Sequence, residues 1–481
     1  MEFGGRDELV LLAVLTAITA LTVLAPVLGV PYPILLVIGG LALGFTPGVP
    51  ELTMPPELVL VGVLPPLLYS AAFFTSLRDL RAKARPIGLL ALVLVAATMV
   101  VVAVVAHLAT DLSWSAAFVL GAVVAPTDPI AATAIARRMG VPRRIVTVVE
   151  GEALINDATA LVLYGAAVTA VATGAFSLWD ASLDFVLSVV GGIAIGLGVG
   201  WLVALVRIRL DNIPAEILIS LLSGYLAYIP AQALGVSGVL AAVTVGIYLG
   251  WRSPELSTPS MRLQGRAVWE TLVFVVNALL FALIGMQLHP ILDRLSGRSA
   301  AELVADALVV VATVMVVRLA WVFAARQEYP LVVGWMGMRG AVSLAAALAL
   351  PLETDAGTPF PGRDLIIFLA FAVILGTLVV QGLTLPKLLR QLPLEDDGLE
   401  EKEDTKARIY AAEAALERLD ELIDEDWVRP ETAERLRGLY GFRRSRFQAR
   451  FDGEDDGAIE QQSTDYQRLR RELLEAERAA V

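Results

Sequence analysis

Apolar residues along most of this chain neither alternate nor recur at amphipathic spacing; they run on. About 20 consecutive apolar residues suffice to cross a bilayer as helix. Thirteen such stretches can be placed, near 8–25, 32–45, 57–76, 86–109, 114–136, 145–173, 183–206, 213–232, 235–251, 268–289, 301–325, 329–351 and 364–386. The second and ninth are short. Polar residues gather in the connections, and basic ones gather in every other connection. Arg78, Arg81, Lys83 and Arg85 follow the third stretch, and Arg137, Arg138, Arg143 and Arg144 follow the fifth. Arg207 and Arg209 follow the seventh, and Arg252, Arg262 and Arg266 the ninth. Thr46–Pro56, Thr110–Ser113 and Gly174–Ser182 carry none. Cytoplasmic connections are enriched in Lys and Arg, so the pattern predicts an all-α polytopic membrane protein with its N-terminus outside. Met1–Glu8 lacks a basic n-region and no Ala-x-Ala site follows, so the first stretch reads as a retained span.

Composition agrees: 57% of the 481 residues are hydrophobic and 18% charged, with a mean hydropathy of +0.71. The absence of cysteine excludes disulfide scaffolds, thiol nucleophiles and cysteine-held metals. The two histidines, His107 and His289, flank apolar runs and read as interfacial residues. The net charge of −12 belongs to the end of the chain, because residues 395–481 hold 25 acidic and 15 basic residues. That region reads as solvated helices, Ala407–Ile423 and Tyr466–Ala480, separated by Asp452–Gly457. Within it Arg443, Arg444, Arg446 and Arg450 interleave with Phe442, Phe447 and Phe451, either an amphipathic helix packed on its neighbours or a contact for anionic lipid. No basic stripe of the nucleic-acid-binding kind exists. Arg outnumbers Lys 33 to 4 in a chain rich in Ala and Val, a bias of GC-rich bacteria.

Ionisable residues at membrane depth are expensive, and each is a functional hypothesis. In the fifth stretch, Pro126 and Pro129 bracket Thr127 and Asp128. Each proline removes a helical donor, so the helix is expected to break and offer free carbonyls and a half-helix end beside Asp128, a setting for a small hard cation. The sixth stretch holds Glu152, Asn156 and Asp157, which fall on adjoining faces of one helix. Two deep cations are available to Glu152: Arg318 in the eleventh stretch and Arg339 in the twelfth. Gly334, Gly337 and Gly340 weaken the twelfth, which an inverted repeat about the seventh would pair with the fifth.

Thr127-Asp128-Pro129, Glu152-x-x-x-Asn156-Asp157 and Gly337-Met338-Arg339-Gly340-Ala341-Val342-Ser343 resemble the signatures of monovalent cation/proton antiporters of the NhaP and NHE type. Leu64–Leu68, Val236–Ala241 and Asn277–Gly285 match as well, so the resemblance spans roughly residues 30–390. It implies a homodimer in which core helices, about 86–173 and 301–390, move against dimerisation helices, about 8–76 and 213–289, leaving 395–481 as an acidic cytoplasmic tail. It also implies that Asp157 binds cation and proton alternately, with Asp128 and Thr127 forming or supporting the site. Glu152 would pair with Arg318, or alternatively with Arg339. Asn156 in place of a second Asp is similar to the electroneutral branch. Two departures stand out: Ala153 where a Ser is usual, and Gln232 where many members have Glu.

The expectation is a secondary transporter in a bacterial inner membrane, exchanging Na+ or Li+ for H+ by alternating access, without a cofactor and without enzymatic activity. Potassium is the alternative cation. A passive cation channel and an intramembrane aspartyl protease are more remote, since no Gly-x-Gly-Asp sequence surrounds Asp128 or Asp157.

Overall fold

The thirteen apolar stretches are mainly helical where the computed structural model describes them, with breaks inside the fifth and the twelfth; the described residues are 5–28, 30–46, 58–174, 178–210, 212–295, 297–394, 398–425, 427–452 and 457–480. The start of Met1–Glu8 and most of the Thr46–Pro56 connection lie outside the described residues, as does the centre of the Asp452–Gly457 separator. The chain divides into two compact units, Met1–Leu394 and Glu395–Val481.

The first unit begins with α1 (Gly5–Leu28), α2 (Tyr32–Gly44) and α3 (Leu64–Phe74), the last entered through a wide π-helical turn at Leu58–Val63. Two short basic helices, α4 (Leu77–Ala82) and α5 (Ala84–Gly88), lead through a second π-helical turn, Leu89–Leu94, into α6 (Val95–Ala109). The fifth stretch is split into α7 (Trp114–Val124) and α8 (Ile130–Arg138). Then come α9 (Arg143–Thr173), α10 (Leu178–Arg207), α11 (Ile213–Ala233), α12 (Gly238–Leu256) and α13 (Pro259–Met286). A short α14 (Leu288–Arg294) precedes α15 (Ala300–Ala324). The twelfth stretch is split into α16 (Pro330–Trp335) and α17 (Ala341–Leu348), and α18 (Arg363–Gln391) closes the unit. Among the described residues, seven helical segments are long and apolar enough to cross a membrane; the other six stretches are short, charged at one end or broken.

Two of these helices run further than the apolar pattern suggests. α13 starts at Pro259, capped by the Thr258 side chain, so Arg262 and Arg266 sit on helix rather than in a connection. Arg207 is buried on α10, where its guanidinium bonds Glu216 and Ser257. Hydropathy alone ends a helix where charge begins; capping and pairing carry it on.

The main core is shared by α6, α7, α8, α9, α15 and α18, while α3, α10, α11 and α12 build a second packed group. Small residues set the crossings, as they do where lipid offers no hydrophobic drive between helices. At the α2–α13 crossing, Gly40 faces the Ala282 carbonyl and Gly285 faces the Val37 carbonyl so closely that a methyl on either would overlap backbone.

In the second unit α19 (Leu399–Leu422) packs on α20 (Pro430–Asp452), and α21 (Gly457–Ala480) follows. Phe447 lies beneath the Arg408 guanidinium at 5.2 Å, so this part of the basic, aromatic stretch packs on its neighbouring helix.

Candidate cation site

The two broken helices meet at their breaks. α7 stops at Val124 because Pro126 and Pro129 cannot donate to the preceding turn, leaving its last carbonyls without helical partners. Arg339, in the break between α16 and α17, takes one of them: its Nε donates to the Val124 carbonyl at 3.1 Å. In return the Asp128 amide donates to the Met338 carbonyl at 2.8 Å. Arg339 also donates to the Gly337 carbonyl, and its own amide donates to Thr377 Oγ1 at 3.1 Å. The Arg339 charge thus faces the negative C-terminal end of α7, and Asp128 faces the positive N-terminal end of α8, where its Oδ1 accepts the Ile130 amide at 2.9 Å. Gly340 makes the approach possible, since a methyl there would overlap the Asp128 carboxylate.

Glu152 is buried on α9 and pairs with Arg318 of α15. Arg318 Nη1 donates to Oε1 at 2.5 Å and Nη2 to Oε2 at 2.8 Å, while Nε and Nη2 also donate to the Val333 carbonyl at 3.3 and 3.0 Å. Gly337 leaves the room this side chain fills. Between the two cations suggested by the sequence, geometry selects Arg318; Arg339 serves the helix ends. The network continues outward, with Thr127 Oγ1 donating to Glu152 Oε1 at 3.1 Å and Asn156 Nδ2 donating to Thr127 Oγ1 at 2.7 Å.

Asp157 stands apart from this network. It is buried, yet among the described residues it accepts no hydrogen bond and forms no ion pair. Its carboxylate lines a cavity of about 310 Å³ together with Thr127, Asp128, Asn277, Gly340 and Ser343. The cavity extends past Phe74 and Trp269 to Arg137 and Glu150, which are ion-paired at 2.6 Å. That is the end of the bundle where the basic connections come together, as the Arg143–Asp79 and Lys83–Glu328 pairs show. Of the residues singled out in the sequence, Asp157, Asp128 and Thr127 reach the cavity. Asn156, Glu152, Arg318 and Arg339 lie behind its wall.

Four participants escaped the sequence reading as site residues, among them Asn277, which lines the cavity. Ser343 lines the cavity, and its buried hydroxyl has no partner among the described residues. Thr377 anchors the Arg339 backbone from α18, and the Val333 carbonyl anchors Arg318. Ser343 and Asn277 fall inside the quoted motifs, a usable signal; a threonine and a backbone carbonyl in apolar runs give none.

Carboxylates and a buried hydroxyl around crossed helix breaks, in a protein of many membrane-crossing helices, define an ion-coupled membrane transporter. The family model for the sodium/hydrogen exchanger, transmembrane, matches residues 12–391. The chain is 38% identical to an uncharacterized Na+/H+ exchanger of Mycobacterium tuberculosis (strain ATCC 25618 / H37Rv), over 99% of its own length and 92% of that protein. It is 33% identical to the Na+/H+ antiporter ApNhaP of Aphanothece halophytica, covering 85% and 78% of the two chains. A sodium, potassium, lithium and rubidium/H+ antiporter of Bacillus subtilis (strain 168) is 33% identical, with 75% and 58% covered. The solved sodium proton antiporter MjNhaP1 of Methanocaldococcus jannaschii shares the fold, with a TM-score of 0.65 at 17% identity over 80% of this chain and 99% of that one. The chain belongs to the sodium/hydrogen exchanger family. It is a multi-pass cation/proton antiporter, a transporter and not an enzyme.

Proposed function

We propose that the protein exchanges Na+ or Li+ for H+ one for one, with cation and proton competing for Asp157. The observation that carries this reading is the contrast within α9: Glu152 is neutralised by Arg318, while Asp157 faces the cavity with no partner among the described residues. A bare charge is costly at membrane depth, and loading by either ligand removes it. The loaded site can then cross where the empty one cannot, which couples the two flows. Asp128 and the Ser343 hydroxyl offer further oxygens to the cation, a hard-ligand set suited to an alkali ion. Thr127 supports the site by holding Glu152 and Asn156 in place. Asn156, an amide, adds no second titratable charge beside Asp157, which supports electroneutral stoichiometry.

The cavity opens toward the basic connections, so under the positive-inside rule it faces the cytoplasm of a bacterial inner membrane, with residues 395–481 on the same side. In a homodimer, helices 86–173 and 301–390 would carry the site against helices 8–76 and 213–289. Purified protein in proteoliposomes with an inside-acid gradient tests the reading. Na+, Li+ or K+ is added in turn while a dye reports internal pH, with and without valinomycin in K+ buffer. Proton efflux on Na+ or Li+ that the clamp leaves unchanged is expected. Asp157→Asn is expected to abolish it while the protein remains monodisperse, and full activity in that variant would overturn the mechanism. A response to K+ alone would assign the potassium substrate that the Bacillus relative's name includes.

A further inference from the structure

A second cavity, of about 370 Å³, lies at the end of the bundle with the basic connections, between the α4–α5 segment, the first turns of α9 and the link from α15 to α16. Four of its lining side chains are cationic, Lys83, Arg85, Arg144 and Arg326. They face one carboxylate, Glu328, which Lys83 engages at 3.2 Å. Basic side chains drawn from three segments around one hollow leave an excess of positive charge for an occupant to meet.

The backbone supplies an independent observation. α15 ends in a two-bond cap, in which the Gln327 amide donates to the Val322 carbonyl and the Arg326 amide to the Phe323 carbonyl, both at 3.1 Å. The residue at the bend of such a cap takes the left-handed conformation and is usually glycine. Here it is Arg326, with φ of 49°. Three residues on, Tyr329 is also left-handed, with φ of 52°. Its hydroxyl accepts Arg144 Nη2 at 3.1 Å, and the Arg144 guanidinium lies 5.5 Å from its ring centroid. Strain of this kind persists where the side chain it places is needed. One strained residue puts a guanidinium on the cavity wall, and the other holds a second guanidinium there. Val333, also in the wall, is the residue whose carbonyl anchors Arg318.

We propose that this cavity binds a phosphoryl oxyanion, carried by the headgroup of an anionic lipid or by free phosphate. Guanidinium forks match phosphate oxygens in pairs, and basic pockets between helices at a membrane surface suit anionic headgroups. Nothing in the cation pathway is required for this binding, so it can be measured without transport.

The thermal unfolding midpoint of the full-length protein in detergent provides the test. It is followed against dihexanoyl phosphatidylglycerol, dihexanoyl phosphatidylcholine, inorganic phosphate, and chloride at matched ionic strength. A rise with phosphatidylglycerol but not with phosphatidylcholine or chloride is expected. A rise with inorganic phosphate as well identifies a free oxyanion as sufficient, and its absence identifies the lipid as the source. Arg326→Gly removes the guanidinium and relaxes the backbone, so the ligand-free midpoint does not fall. The half-saturating concentration rises at least about tenfold, as expected for losing one charge-assisted hydrogen bond. Arg85→Gln, at an exposed position, gives the same loss, whereas Arg209→Gln on another connection gives none. No rise at all, an equal rise with all four additives, or a rise that survives both Arg326→Gly and Arg85→Gln unchanged overturns the proposal.

Discussion

Five residues apart on α9, Glu152 and Asp157 are treated in opposite ways by their surroundings. Glu152 receives both terminal nitrogens of Arg318 and the Thr127 hydroxyl, so its charge is fully spent. Removing one member of a buried pair strands the other, at about 3–5 kcal/mol. Glu152→Gln should therefore lower the unfolding midpoint sharply and reduce the yield of monodisperse protein. Glu152→Leu with Arg318→Met should recover most of that loss, because the pair is then replaced rather than broken. Size-exclusion profiles and thermal unfolding of the three chains check both statements. The sequence showed which charges were deep, since a carboxylate in an apolar run is visible by itself. It did not show which arginine Glu152 meets, because that depends on the room Gly337 leaves beside α15. Thr377 was invisible for a related reason: its role is a bond to an amide 38 residues away.

At the scale of elements, the two breaks differ in cause and converge in geometry. Prolines stop α7, whereas the run Gly334 to Gly340 weakens the segment from α16 to α17. These residues made both breaks legible in the sequence. Their mutual bonding, Arg339 to Val124 and Asp128 to Met338, was not, because backbone partners leave no trace in residue type. Gly340 is where the packing is tightest against the ion site. Gly340→Ala should displace the Asp128 carboxylate and cost about 1–3 kcal/mol in strain. Exchange rates in proteoliposomes should fall while the protein remains folded, and an unaltered rate would show that Asp128 can shift without consequence. The short helices α4, α5 and α14 and the π-helical turns escaped the hydropathy pattern because each is too brief to have a period.

For the whole molecule, competition at one carboxylate fixes how proton and cation affinities are linked. If one proton excludes one cation, the external Na+ concentration giving half-maximal exchange must rise by up to about tenfold for each pH unit lost on the acid side, and level off on the alkaline side. Initial rates over a grid of pH and Na+ check this, and a half-maximal concentration independent of pH would separate the two binding events. The thirteen-stretch pattern and the two compositional regions were legible because membrane solvation acts on each stretch independently. The cavity was not, since helices from both halves of the chain enclose it.

The Glu152–Arg318 pair also constrains how the chain is made. Its members are 166 residues apart, and ribosomes add about 5–20 residues per second. During synthesis α9 therefore leaves the ribosome about ten to thirty seconds before the cation that neutralises it exists. Through that interval a carboxylate-bearing segment must be sheltered by the insertion machinery or held at the membrane surface. Assembly of the transport centre is thus a late event in biogenesis, completed only when the arginines of the second half arrive.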